Sequence, residues 1–197
     1  MFSSTIKRAT VSAIVFAATA LPADAHVGVG LTSSFSSGFV HPLSGLDHVT
    51  VMLAVGLWAA QKGGRAIWAW PAAFIGVMLV GGILGMEHVP VPLVEPAILA
   101  STVAFGLLVA LAVDLPVLAG VAIIGVFAFF HGHAHGTEAA VGAGGIEYLV
   151  GFAGSTALLF AIGIALASAP RSRFRGVDRA AGAACVALGA GLALSLL

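Results

Sequence analysis

Six apolar stretches, at residues 42–61, 66–86, 93–113, 115–131, 147–168 and 177–197, set the terms on which this chain can fold. An α-helix rises about 1.5 Å per residue, so roughly 17 to 25 apolar residues cross a hydrocarbon core of about 30 Å. In lipid every backbone N–H and C=O must find its partner inside the protein, which leaves helices as the form such stretches take. The fold class is therefore an all-α integral membrane protein with six transmembrane helices. Only 8% of residues are charged, against about 25% in an ordinary soluble domain, and mean hydropathy is +1.11. The formal net charge is zero and no basic patch exists, which argues against nucleic acid as a partner. Cys185 is the one cysteine, so there is neither an intrachain disulfide nor a CxxC site.

The chain opens like a signal peptide. Lys7 and Arg8 precede an apolar run from Ala9 to Leu21, and Ala23-Asp24-Ala25 forms an A-x-A cleavage site. About 13 apolar residues are too few to span. This divides the chain into a signal peptide, 1–25, and a six-helix domain, 26–197, starting at His26. Residues 26–40 are rich in Gly and Ser and read as a loop or surface segment. Every remaining Lys and Arg falls on one side: Lys62 and Arg65 after the first stretch, and Arg171, Arg173, Arg175 and Arg179 between the fifth and sixth. The positive-inside rule makes that side the cytoplasm, and the signal peptide puts residue 26 on the other. The expectation is a multi-pass inner-membrane protein with both mature ends periplasmic. Its two halves would run in opposite orientation, as in an inverted repeat. Many glycines dot the stretches, among them Gly76, Gly81, Gly82, Gly85, Gly151, Gly154, Gly182 and Gly189, as expected where helices pack closely in lipid.

Function is left to the few polar groups. In HPLSGLDHVTVM, Pro42 suits a first helical position, so a helix is predicted from Pro42 to Gln61 with His41 at its start. His41, His48 and Met52 then share one face, with Asp47 beside them about a third of the way across. Ionisable groups at such depth cost roughly 2.5 to 3.5 kcal/mol each and mark a pathway or a partner. A second cluster, FFHGHAHGTE, closes the fourth stretch. In a continuous helix His131, His135 and Glu138 share a face and His133 points away. Alternatively, Gly132 and Gly136 break the helix and let all three histidines turn to one point. Glu87, His88, Glu95 and Glu147 lie at the same outer ends. His26 joins them there, where its amine and ring together are a metal chelate. Imidazoles with carboxylates suit Ni²⁺, Co²⁺, Cu²⁺ or Zn²⁺ and suit Mg²⁺ or Ca²⁺ poorly.

The segment HPLSGLDHVTVMLAVG, from His41 to Gly56, and FHGHAHGTE, from Phe130 to Glu138, together with the preceding signal peptide, resemble the HupE/UreJ family of hydrogenase and urease accessory membrane proteins. The resemblance covers essentially the whole mature chain. It implies uptake of nickel, in some members cobalt, for hydrogenase or urease maturation, whose maturation proteins would be the partners. It carries over His41, Asp47 and His48 in the first motif and His131, His133, His135 and Glu138 in the second. The first motif is also similar to the H-x4-D-H signature of the nickel/cobalt transporters, with one more residue between His41 and Asp47.

The expected mechanism is capture by outer histidines (His131, His135, His26) and permeation past His41, Asp47 and His48. Met52, His88 and Asp114 are further pathway candidates. Neutral imidazole is the ligand form, so uptake weakens as pH falls through the imidazole range. The ion is cargo and no permanent cofactor is expected. No HExxH zinc motif or GxSxG elbow is present, so no enzyme is expected. The competing classes are a metal sensor or delivery protein that transports nothing and, disfavoured by histidines confined to one membrane face, a haem b protein.

Overall fold

The computed structural model describes residues 33–168 and 175–195. The signal peptide, His26, Arg171 and Arg173 lie outside the described residues. The described residues form seven helices, α1 (Phe35–Ser44), α2 (Leu46–Lys62), α3 (Ala66–Met86), α4 (Val94–Ala110), α5 (Val117–Glu138), α6 (Ala143–Ser168) and α7 (Arg175–Ser195), with no strand among them. By length and composition α3, α5 and α6 can each cross a membrane, and α1 with α2 forms a fourth candidate bent by 86°. Val94–Ala110 and Arg179–Leu192 are shorter apolar helices.

The first stretch departs from its expected form. Pro42 does not open a helix; it lies inside α1. Ser34 starts α1 with a reciprocal cap: its Oγ accepts from the Ser37 backbone N–H at 3.2 Å, and the Ser37 hydroxyl accepts from the Ser34 N–H at 3.2 Å. That cap satisfies helix-end donors eight residues before Pro42, so the proline falls in the last turns. The chain then becomes extended at Gly45 (φ −86°, ψ 115°), and α2 begins at Leu46. His41 therefore belongs to a different helix from His48 and Met52, and the three do not form one stripe. Asp47 is the second residue of α2, at the break, rather than a third of the way along a continuous span.

The fourth stretch differs in the other direction. α5 runs unbroken through HGHAH to Glu138, seven residues beyond its expected end at 131. Gly132 and Gly136 do not break it, because they serve its packing on α3. A Cβ at Gly132 would strike the Met78 carbonyl oxygen, and one at Gly136 the Gly82 carbonyl oxygen; Gly81 and Gly85 face the Phe129 and His133 carbonyl oxygens in the same way. Two pairs of glycines at i, i+4 thus bring the backbones into direct contact, which supplies close packing where lipid offers no hydrophobic drive. With its glycines turned to α3, α5 points His131 and His135 elsewhere.

One end of the bundle is closed by aromatic rings. Trp58 and Trp70, both fully buried, have ring centroids 4.1 Å apart, and their indole N–H groups donate to the carbonyls of Val113 (2.8 Å) and Val117 (2.9 Å). Lys62, at the end of α2, pairs there with Asp114 in the connection from α4 to α5. His48 is 14 residues up α2 from Lys62, about 21 Å at helical rise.

Replacing Gly132 by Ala should lower stability by about 1 to 3 kcal/mol, the usual cost of overpacking. Gly76→Ala, on a face where an added Cβ meets nothing within 4 Å, should be neutral or gain up to about 1 kcal/mol from helix propensity. Unfolding midpoints of the two variants in the same detergent check this.

Candidate metal centre

Side chains converge on one point at the end away from the tryptophans, where α3 contributes Phe74 and α4 contributes Ser101, whose Oγ is 2.9 Å from His131 Nε2. α1 brings His41, α2 brings His48, α5 brings His131, His135 and Glu138, and α6 brings Tyr148, Phe152 and Thr156. On α5 the spacing i, i+4, i+7 keeps its three groups on one face because the helix is unbroken.

The donors form two overlapping triads. His48, His131 and His135 each place a ring nitrogen within 4.8 Å of the others; so do His41, His135 and Glu138 with a nitrogen or carboxylate oxygen. In the second triad His41 Nε2 is 3.1 Å from His135 Nδ1 and 3.0 Å from Glu138 Oε2, with His135 Nδ1 3.7 Å from the same oxygen. His135 belongs to both. The outer triad is within reach of the surface, its side chains being 24% (His41), 18% (His135) and 37% (Glu138) exposed. In the inner one His48 is 1% and His131 0% exposed.

Aromatic rings wall the site. Phe152 lies 4.8 Å from the His48 ring and 4.5 Å from that of His135, centroid to centroid, and Phe74 5.9 Å from His131. Tyr148, the one tyrosine, packs edge-on to His41 at 5.8 Å, with its buried hydroxyl lacking any hydrogen-bond partner.

The chemistry of the donors fits a borderline transition metal. His48 Nδ1 and His131 Nδ1 are buried and have no hydrogen-bond partner, an arrangement that is costly unless something else is bound there. Ca²⁺ and Mg²⁺ take oxygen ligands, whereas the inner triad offers imidazole nitrogen alone.

Other candidates lie elsewhere. Asp47 is half-buried in the first turn of α2, outside both triads. His133 turns to the opposite side of α5, its Nε2 2.7 Å from the Val89 carbonyl oxygen, and lines a separate cavity with the exposed His88. Met52 is fully buried in the core of α2, and Asp114 is held by Lys62 at the far end.

Sequence reading missed Tyr148, Phe152, Ser101 and Thr156. Tyr148 is signalled by being the sole tyrosine, next to Glu147 at an outer helix end. Ser101 and Thr156 carry a fainter signal, a Ser-Thr pair in the middle of each of two apolar helices, at 101–102 and 155–156.

The family model described as HupE / UreJ protein matches residues 14–192. Protein HupE of Rhizobium leguminosarum bv. viciae is 43% identical over 178 residues, which is 89% of this chain and 93% of that protein. No solved structure matches significantly. With the match running from before the first motif to the last helix, the chain belongs to the HupE/UreJ family.

Proposed function

We propose that this protein is a permease that imports a divalent transition-metal ion, nickel or cobalt, across the inner membrane for hydrogenase or urease maturation. The observation that carries the reading is the pair of donor triads sharing His135. Family membership and the resemblance of both motifs support the same role.

The steps follow from the donors. Glu138, His41 and His135 take the hydrated ion at the outer triad, where a carboxylate offsets part of its charge. His135 keeps its hold while His48 and His131 replace Glu138 and His41, so the ion exchanges ligands two at a time and is never without a protein donor. Beyond the inner triad the way is shut by Trp58 and Trp70, so release to the other side requires this end to open. The sequence holds no nucleotide-binding loop, and the driving force is an ion gradient, the membrane potential or a partner protein. The six-span topology, with the histidines periplasmic and Lys62 and Arg65 cytoplasmic, belongs to this reading.

The test is uptake of radioactive Ni²⁺, with and without Co²⁺ as competitor, into proteoliposomes holding purified protein. Saturable uptake should fall to background in His135→Ala and in His48→Ala. Glu138→Gln removes an outer-triad donor and should raise KM by at least about tenfold, more than the loss of a supporting group alone, with a smaller change in kcat. Wild-type protein that binds Ni²⁺ and moves none, in every gradient applied, would make it a sensor or delivery protein.

Uptake should also be acid-sensitive. Each imidazole must be neutral to bind the ion, so protons compete with it as pH falls. Uptake indifferent to acid would count against imidazole as the ligand.

A further inference from the structure

Two buried hydroxyls sit beside the inner triad with no part in the exchange of ligands. Ser101 Oγ, on α4, is 2.9 Å from His131 Nε2, and Thr156 Oγ1, on α6, is 3.3 Å from His48 Nε2. Both residues are fully buried. We propose that Ser101 and Thr156 are positioning residues that hold His131 and His48 in the Nε2–H tautomer, so that each presents a lone pair on Nδ1 to the ion. The proposal rests on the metal reading above and extends it to two residues outside both motifs.

A neutral imidazole has one donor nitrogen and one acceptor, and the partner of one nitrogen decides what the other can do. The Ser101 hydroxyl has a single proton, and it goes to the Ile98 carbonyl oxygen at 2.5 Å. The contact with His131 must therefore run from the ring N–H to the hydroxyl oxygen. Thr156 is placed in the same way beside a softer acceptor: Met78 Sδ, 3.9 Å away, can take its proton, which leaves its oxygen free to accept from His48. In both rings the nitrogen left over is Nδ1, and both Nδ1 atoms are buried without a hydrogen-bond partner. The opposite tautomer would bury two N–H groups with nothing to accept them and set the lone pairs of Nε2 against those of the hydroxyl oxygens. The Ile98 carbonyl is a far better acceptor than a thioether, so the Ser101 lock is the firmer of the two.

Each hydroxyl has an internal control beside it. Thr102 Oγ1 lies 3.4 Å from the Ile98 carbonyl oxygen and Ser155 Oγ 3.1 Å from that of Phe152, each on its own helix. Both are as buried as their neighbours, and their hydroxyls bond to backbone carbonyls of their own helices rather than to a histidine. Burial of a hydroxyl in these helices is therefore separable from service to the imidazoles.

The experiment uses full-length protein in lipid nanodiscs with ¹⁵N-labelled histidine, read by NMR without metal, and by titration with Ni²⁺ and with Co²⁺. Wild type should show His48 and His131 as Nε2–H. Ser101→Ala and Thr156→Val should each give a tautomer mixture at the affected ring and weaken ion binding about 10- to 100-fold, the usual penalty for losing an outer-shell partner. Thr156→Ser, which keeps the hydroxyl, should restore both readings, and Thr102→Val and Ser155→Ala should leave both unchanged. Nδ1–H rings in the wild type, or tautomers indifferent to Ser101→Ala and Thr156→Val, would overturn the proposal whatever the ion does. Nε2–H rings in a protein that binds neither ion would instead refute the metal reading and leave the tautomer lock standing.

Discussion

The unbroken hydrogen bonding of α5 from Val117 to Glu138 is the constraint on which the rest of the site depends. A stretch containing two glycines and three histidines in six residues would fray in water. Held inside a bundle, it stays helical, because each freed backbone group would lack a partner in lipid. Helical continuity then fixes the side chains. Gly132 and Gly136 fall on the face that meets α3, His131, His135 and Glu138 on the face that meets α1, α2 and α6, and His133 on neither. The glycines thus have a double role: they bring α5 onto α3 and, by occupying that face, leave the ligating groups for the interior.

What the sequence revealed and what it hid divide along physical lines. The residue types that bear the chemistry stand out because imidazole and carboxylate are rare in apolar surroundings, and His41, His48, His131, His135 and Glu138 all meet at one site. The apolar stretches coincide with helices for the same reason, since composition reads directly as solvent. The break at Gly45 was hidden because proline favours a first turn and is costly later in a helix, so Pro42 pointed to a helix start where the chain in fact nears a helix end. The deciding signal was Ser34, a cap whose partner Ser37 is an ordinary serine in a Gly/Ser-rich run. Ser101 and Thr156 were hidden for another reason: small hydroxyl residues in membrane helices most often bond to their own backbone, and only the fold reveals which of two neighbours faces a ring.

The bend between α1 and α2 changes what the first motif does. On one straight helix His41 and His48 would be rungs of a ladder about 10 Å apart. Bent by 86°, α1 instead carries His41 across to His135 and Glu138, so that the motif contributes one ligand to each triad. The two triads are therefore built by the same pair of motifs, and their common member, His135, lies between them.

Asp47 finds its place in this geometry through electrostatics. His48 is the third residue of α2, so an ion at the inner triad sits near that helix's N-terminus, where unpaired N–H groups create a partial positive charge. A cation there is repelled. Asp47, in the same first turn, supplies a negative charge that offsets the helix end, worth about 0.3 to 1 kcal/mol at an exposed site and up to about 2 kcal/mol where partly buried. On the proposed reading its role is to neutralise the helix end rather than to ligate, which accounts for an aspartate that accompanies His48 in sequence yet stands outside both triads. The inner triad is then left with nitrogen donors alone, which disfavours hard cations, while a charge in the same first turn as His48 lets a divalent ion approach.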